Sequence, residues 1–319
     1  METPIEQLSR IQTVTNRMIE SFGQSVIGQA ENFRLLWASL LVGGHVLLEG
    51  VPGVGKTLMV RSLAQLVRCD HRRIQFTPDL MPADVTGTKV YDLQSGRFST
   101  RKGPVFTDIL IADEINRTPP KTQSALLEAM EERQVTIDGE TFPLSPVFFV
   151  VATQNPLEHE GTYLLPEAQV DRFAVKLLVG YPEEAEEREL LLTSGITSRR
   201  EQGLEPVTDA EEILEMRRAL EKVRVEPDVA GYALEIVRAT RRHPKIILGV
   251  SPRSGIGFLS LAKAEAAMNG RDYVTPDDLK KVAKPSLRHR IHLHPDGELE
   301  GWSADDVLDE ILETVSVPR

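Results

Sequence analysis

The sequence predicts an α/β fold, a parallel sheet flanked by helices, followed by a helical domain. Two observations support this. Short apolar runs alternate with helical patterns up to about residue 180; the clearest are His45–Glu49, Ile109–Asp113 and Val147–Asn155. From Tyr181 onward no further buried strand is evident, and the apolar residues recur at helical spacing. We therefore expect an α/β domain over residues 1–180 and a helical lid over residues 181–319.

The first apolar run leads directly into a glycine-rich loop. Residues 50–57 read GVPGVGKT and fit G-x-x-x-x-G-K-[ST], the phosphate-binding loop of P-loop NTPases. Its glycines allow successive N–H groups to face a phosphate chain, and the following helix adds its positive dipole end. A lysine and a hydroxyl then suit the β- and γ-phosphates and Mg²⁺. The predicted nucleotide-binding residues are Gly50, Val51, Pro52, Gly53, Val54, Gly55, Lys56, Thr57 and Leu58.

Two helices are expected before this loop, over residues 5–22 and 30–42, with the turn SVIGQ between them. In a nucleotide enzyme, Val26, Ile27 and Gly28 of this turn are placed to cover the adenine ring. Simple packing of two aliphatic side chains at a helix entrance explains the same residues.

The second run, ILIAD, ends in adjacent acidic residues. Asp113 is predicted to support Mg²⁺ together with Thr57, directly or through a water molecule. Glu114 points differently and can orient and deprotonate an attacking water. Adjacent carboxylates at a strand end are often only a solvated loop, but here they follow the phosphate loop at a spacing suited to a neighbouring strand.

Between these motifs a strand is expected at Arg72–Thr77, and residues 83–106 carry a predicted surface insert, a hairpin or helix. After the acidic pair, a helix is expected over Lys121–Arg133 and a hairpin over Gln134–Leu144.

Two later residues complete the candidate site. Asn155 ends the third run, where its amide can sense the γ-phosphate or hold water. Arg172 follows a short helix predicted from Pro166 and precedes a strand, Ala174–Leu178. It is either a surface partner of Asp171 or an arginine finger that reaches a neighbour's nucleotide.

The predicted lid contains helices near residues 183–194, 209–222, 227–242, 252–269, 275–289 and 303–315. Arg253 starts the fourth helix and is either a surface charge or an arginine that contacts the nucleotide. The three histidines of LRHRIHLH, at positions 289, 292 and 294, lack the i, i+4 spacing and the partner ligands of a metal site, so no metal is expected there.

Composition narrows the functional classes. The net charge of −11 argues against a general nucleic-acid binder. No apolar run reaches the length of a membrane span, and the N-terminal residues do not resemble a secretory signal. The single cysteine, Cys69, cannot form an internal disulfide, so we expect a cytoplasmic location.

With these motifs assembled, the chain resembles the MoxR family of AAA+ ATPases from VIGQ to LRHRI. The resemblance is most specific in LIADEINRTPPKTQSALLEAMEERQVTIDG, ATQNP, GTYLLPEAQVDRF and SPRS. It implies an AAA+ core with a parallel five-stranded sheet and an all-α lid. It assigns Lys56 and Thr57 to Walker A, Asp113 and Glu114 to Walker B, Asn155 to sensor 1, Arg172 to the arginine finger and Arg253 to sensor 2.

The resemblance also implies cofactors and partners: ATP with Mg²⁺, a hexameric ring with hydrolysis between subunits, and chaperone-like maturation or metal loading of clients. Clients with von Willebrand factor A domains are frequent in this family. The hairpin at 134–144 and the insert near 88–103 would line the pore or axial face. Arg117 and Arg133 are further candidates for an arginine that acts on a neighbour.

Several alternatives stay open at this point. A chelatase-type or nucleic-acid-remodelling motor shares the same core, and a nucleotide-gated binding module would hydrolyse little. The carboxylate of Glu114 beside Asp113 argues against that module, and no N-K-x-D pattern indicates guanine specificity.

Overall fold

The computed structural model describes residues 4–94, 96–156, 162–193 and 204–318. The strands are, in chain order, β1 (His45–Glu49), β2 (His71–Gln75), β3 (Gly87–Asp92), β4 (Arg97–Lys102), β5 (Ile109–Asp113), β6 (Gln134–Ile137), β7 (Glu140–Pro143), β8 (Phe149–Gln154), β9 (Phe173–Leu178), β10 (Ile246–Leu248) and β11 (His292–Leu293). The helices are α1 (Pro4–Gly23), α2 (Ala30–Leu41), α3 (Lys56–Leu66), α4 (Pro82–Thr86), α5 (Pro120–Glu132), α6 (Glu167–Val170), α7 (Glu184–Thr193), α8 (Ala210–Leu220), α9 (Pro227–Arg242), α10 (Pro252–Met268), α11 (Pro276–Leu287), α12 (Pro295–Leu299) and α13 (Ala304–Thr314).

The central sheet has five parallel strands in the order β2-β5-β8-β1-β9. β1, β5 and β8 occupy its middle and are buried over nearly their whole length. Burial on both faces is the reason why their sequences are continuous apolar runs and do not alternate. The parallel arrangement places the carboxyl ends of all five strands at one edge.

The two faces of the sheet pack into two separate cores. One core uses Leu47, Leu110 and Val150 and is covered by α5 and the β6–β7 hairpin. The other uses the alternate positions, Val46 and Ile111 among them, and continues through α1, α2 and α3 into the C-terminal helices. The helical lid therefore shares a core with the first three helices.

Most predicted elements are present, with ends shifted by a few residues. The insert contains an antiparallel hairpin, β3–β4, and residues 134–143 form the expected second hairpin. The predicted helix end at Arg133 is one residue too long, because Arg133 adopts a left-handed conformation with φ 51°. In the otherwise helical lid, β10 and β11 form a small antiparallel sheet that the sequence analysis did not predict.

Candidate nucleotide site

The phosphate loop joins β1 to α3, which begins at Lys56. Gly53 and Gly55 both have φ +86°, and a Cβ at either would meet open space. At Gly50, by contrast, a Cβ would collide with the backbone carbonyl of Val179. The first turn of α3 receives no side-chain cap from Gly55, so its N–H groups remain available to an anion. A glycine-lined opening above an uncapped helix start is the geometry that a phosphate chain requires.

Lys56 connects the ends of two central strands. Its Nζ donates hydrogen bonds to the carbonyl oxygens of Gly50, after β1, and of Gln154, the last residue of β8. Asn155 follows Gln154 immediately and is buried, with 5% of its surface exposed. The sheet thus brings the predicted lysine and asparagine to the same edge.

Asp113 and Glu114 diverge at the end of β5. Asp113 is buried, and its carboxylate accepts hydrogen bonds from Thr153 Oγ1 at 3.2 Å and Arg73 Nε at 2.5 Å. Glu114 has φ 57°, a left-handed conformation that is costly for a residue with a side chain. Its backbone N–H donates to Thr153 Oγ1 at 2.9 Å. One hydroxyl on β8 therefore fixes both acidic residues while the strained turn separates their carboxylates.

Two further side chains hold the Glu114 carboxylate. Gln75 Nε2, at the end of β2, donates to Glu114 Oε2 at 2.6 Å, and Arg117 Nε lies 3.1 Å from the same oxygen. No sequence motif pointed to Gln75, Arg73 or Thr153. Their common signal is a polar residue at or near the carboxyl end of a strand, which has meaning only once the strand order is known.

A second cluster forms around Glu131, near the end of α5. Its Oε2 lies 2.8 Å from Arg172 Nη2, and its Oε1 lies 2.8 Å from Arg253 Nη1. The structure therefore brings the two candidate arginines together on one carboxylate. No local sequence pattern indicates Glu131, since its partners are 41 and 122 residues away along the chain.

This second cluster lies at the opposite edge of the sheet from the phosphate loop. Arg172 directly precedes Phe173, which pairs with His45, the first residue of β1. Gly50 follows the last residue of β1. The length of this strand, about 16 Å at 3.3 Å per residue, therefore separates Arg172 from the phosphate loop. Met130, beside Glu131, accepts a hydrogen bond from His45 Nε2 at 3.2 Å. Glu131 therefore also lies near the amino end of β1.

The neighbours of the two arginines are also joined. Asp171 Oδ1 accepts hydrogen bonds from Ser254 Oγ at 2.6 Å and from Arg290 Nε at 2.7 Å. Arg290 also donates to the carbonyl oxygen of Phe173 at 2.7 Å. Burial lowers the pKa of Arg290, while the hydrogen bond to Asp171 opposes that shift. The turn before β9 and the start of α10 are thus fastened to each other.

The remaining candidates occupy varied positions. Val26 is buried in the core that includes α2, whereas Ile27 is half-buried and Gly28 has φ +81°. Arg117 contacts Glu114, and Arg133 Nη2 donates to the carbonyl oxygen of Gly43 at 2.7 Å. Neither belongs to the Glu131 cluster.

The described residues contain neither a membrane-spanning helix nor a cluster of metal ligands. Within the described ranges, every helix is too short or too polar to cross a lipid bilayer. No group of three or more His, Cys, Asp or Glu side chains in those ranges is arranged to hold a metal ion. Of the histidines singled out above, His289 is buried, and its Nε2 donates to the carbonyl oxygen of Phe173 at 3.0 Å.

The parallel sheet in this order, the phosphate loop, the strand-terminal acidic pair and the helical lid together define an AAA+ ATPase. Comparison with known protein families supports the same class. Residues 45–175 match the family model described as "ATPase family associated with various cellular activities (AAA)", and residues 238–311 match the "AAA lid domain".

Individual relatives narrow the class to one family. The chain is 49% identical to uncharacterized protein YeaC of Bacillus subtilis, over 95% of this chain and 94% of that protein. It is 42% identical to chaperone MoxR1 of Mycobacterium tuberculosis, over 95% and 82% respectively. The crystal structure of a "putative ATPase" from Cytophaga hutchinsonii has a TM-score of 0.91, with 41% identity over 98% of both chains. The chain belongs to the MoxR family of AAA+ ATPases.

Proposed function

We propose that this chain hydrolyses ATP at sites completed between neighbouring subunits of a ring and uses the energy to remodel client proteins. The observation that carries the proposal is the separation of two sets of residues. Lys56, Asp113 and Glu114 lie at the carboxyl edge of the sheet, and Arg172 lies at the amino edge. A head-to-tail contact between copies would bring the two edges together.

The phosphate loop binds the triphosphate. Backbone N–H groups of residues 53–56, where the loop passes into α3, face the phosphates, and Lys56 exchanges its carbonyl partners for the β- and γ-phosphate oxygens. Val51, Pro52, Val54 and Leu58 shape the loop and its helix. Ile27 and Gly28 border the adenine, while Val26 supports that turn from the core.

The residues present fit a magnesium ion. Asp113 offers a buried carboxylate that is held by Thr153, and the hydroxyl of Thr57 lies one residue into α3. Oxygen ligands of this kind suit Mg²⁺, which usually keeps several of its waters. When bound, Mg²⁺ neutralises charge on the β- and γ-phosphates.

Glu114 takes the proton of the attacking water. Its carboxylate is held by Gln75 and Arg117, and its strained backbone turns it away from Asp113. Asn155, at the neighbouring strand end, orients the water or the γ-phosphate through its amide. Arg172 of an adjacent subunit stabilises the developing charge, a contribution of about 10³- to 10⁵-fold in rate.

The hairpins are the proposed client-contacting elements. Leu93 and Phe98 near the tip of β3–β4 are 88% and 71% exposed. Lys89 of this hairpin lies 3.8 Å from Glu140 of the β6–β7 hairpin, so the two hairpins are neighbours. The name chaperone carried by the Mycobacterium relative supports a client of protein nature. A hexameric ring, metal loading, von Willebrand factor A clients and a cytoplasmic location stay predictions.

The test is the ATPase rate against protein concentration for the wild type, Glu114→Gln and Arg172→Ala. We expect the rate per subunit to rise with concentration and to collapse in both variants. Mixing the variants should restore turnover, because one retains Arg172 and the other retains Glu114. A rate that is independent of concentration and of Arg172 would contradict the proposal and favour a self-contained nucleotide switch.

A further inference from the structure

One carboxylate holds two guanidinium groups from different parts of the chain. Arg172 belongs to the turn between α6 and β9, Arg253 to the first turn of lid helix α10, and Glu131 to α5. The two contacts use different oxygens of Glu131 and have the same length, 2.8 Å. The two guanidinium groups therefore lie side by side, each paired with one carboxylate oxygen of Glu131.

The cluster contributes little to the fold. The side chains of Glu131, Arg172 and Arg253 are 28%, 30% and 67% exposed. Ion pairs with such exposure typically contribute about 0–1 kcal/mol to stability. The shared carboxylate is thus not needed to hold the domains together, because Arg290, whose side chain is 7% exposed, already joins the lid to Asp171.

The charges leave the cluster suited to an anion. Two guanidinium groups and one carboxylate sum to a single positive charge. Without Glu131 the two like charges would repel and separate. The hydrogen bond from Arg253 and the charge of Arg172 lower the pKa of Glu131, which therefore stays ionised at neutral pH.

The residues next to the two arginines are also joined by their side chains. Asp171, which precedes Arg172, accepts the hydroxyl hydrogen of Ser254, which follows Arg253. This hydrogen bond links the two chain segments that carry the arginines, and Glu131 contacts the guanidinium group of each.

We propose that Glu131 is a positioning residue for hydrolysis: it holds Arg172 and Arg253 together as one unit that is presented to the γ-phosphate bound by an adjacent subunit. This inference rests on the proposed function, because the unit lies at the edge remote from its own phosphate loop. Glu131 itself touches no substrate. It acts through the arginines that it aligns.

The first experiment compares Glu131→Gln with Glu132→Gln, which removes the same charge one residue further along α5. Glu131→Gln should lower kcat by about 10- to 100-fold, the scale of a misplacement of about 1 Å. The KM for ATP should change little, since the phosphate loop is intact. Glu132→Gln should behave like the wild type, and both variants should keep the wild-type thermal midpoint. Glu131→Asp should recover part of the rate.

The second experiment assigns Glu131 to one side of the subunit interface. Mixed with Glu114→Gln subunits, which supply intact arginines, Glu131→Gln subunits should regain turnover. Mixed with Arg172→Ala subunits they should not, because neither partner then offers an intact arginine unit. Recovery with Glu114→Gln also proves that the Glu131→Gln subunit is folded and binds ATP.

The outcomes separate the two proposals. If Arg172→Ala and Glu114→Gln fail to complement each other, the proposed function itself is contradicted. If they do complement, and Glu131→Gln is as active as Glu132→Gln or more active than the wild type, Glu131 is not a positioning residue. Recovery of Glu131→Gln by Arg172→Ala would also overturn the assignment.

Discussion

At the scale of single residues, His45 illustrates how a charged form can be excluded from the fold. It is 5% exposed, and its Nδ1 accepts the N–H of Val150 at 3.0 Å, so Nε2 carries the hydrogen donated to Met130 O. Burial lowers its pKa to about 3, against only partial opposition from the Met130 hydrogen bond. In the unfolded chain His45 is therefore protonated below pH 6.5, whereas in the folded chain it stays neutral down to about pH 3.

This difference predicts a pH dependence of stability. As the pH falls below 6.5, His45 should remove about 1.4 kcal/mol of unfolding free energy per pH unit. His45→Gln keeps an acceptor and a donor but does not titrate, so its slope between pH 6.5 and 4.5 should be smaller by that amount. Urea denaturation of the wild type and the variant at several pH values measures these slopes of the unfolding free energy.

The remaining slope in the variant has a second source, because burial also lowers the pKa of His289. His71→Gln, the same exchange at an exposed histidine, is the matched control for the substitution itself. Equal slopes for the wild type and His45→Gln would show that the imidazole is not excluded from protonation.

The candidate site divides at this scale into residues that sequence could predict and residues that it could not. Lys56 belongs to a contiguous loop, and Glu114 adjoins Asp113 at a strand end, so short-range patterns suffice. Gln75 and Glu131 acquire a role only through partners on other elements. Their significance depends on strand order and long-range packing, which no local pattern encodes.

At the scale of elements, the junction between the α6–β9 turn and the lid centres on Arg290. Its guanidinium donates to Asp171 Oδ1, to the backbone of Asp171, Phe173 and Ala174, and to Ser286 O. The side chain is 7% exposed. A planar group with five donors can serve these separate acceptors, whereas a lysine ammonium cannot.

Arg290→Lys should therefore lower the unfolding free energy by about 2–4 kcal/mol, since charge-assisted hydrogen bonds are lost. Urea denaturation measures the loss. The control is Arg242→Lys, at a 59% exposed site, which should stay within about 0.5 kcal/mol. A stable Arg290→Lys would mean that the junction tolerates a single point charge.

Element ends and very short strands were the parts of the fold that sequence predicted least well. β10 and β11 span three and two residues, too few for a period to appear. They pair because α9 and the turn at Arg288–Arg290 bring them together, and that is a tertiary effect. The long amphipathic helices of the lid, by contrast, repeat their pattern often enough to be recognised.

At the scale of the whole molecule, the proposed boundary near residue 180 does not divide the core. One continuous cluster of buried residues runs from Leu8 in α1 through the sheet to Ile311 in α13. Glu265 of the lid is 1% exposed and pairs with Arg34 of α2 at 2.9 Å and with Lys281 at 3.0 Å. The two predicted domains are therefore expected to unfold together.

The two tryptophans provide a test, because Trp37 lies in α2 and Trp302 lies between α12 and α13. In Trp302→Phe the fluorescence reports only Trp37, and in Trp37→Phe it reports only Trp302. In each variant the fluorescence and far-UV circular dichroism midpoints should coincide in urea, as one cooperative transition requires.

Glu265→Ala, introduced into both single-tryptophan variants, should lower both midpoints together. Removing the buried carboxylate leaves Arg34 without its charged partner, which costs about 3–5 kcal/mol. Glu31→Ala is the matched control, because Glu31 is 77% exposed and lies 3.8 Å from the same Lys281. If only the midpoint of the Trp302 signal fell, the lid would be a separate folding unit. The stability of α2 would then not depend on Glu265 of the lid.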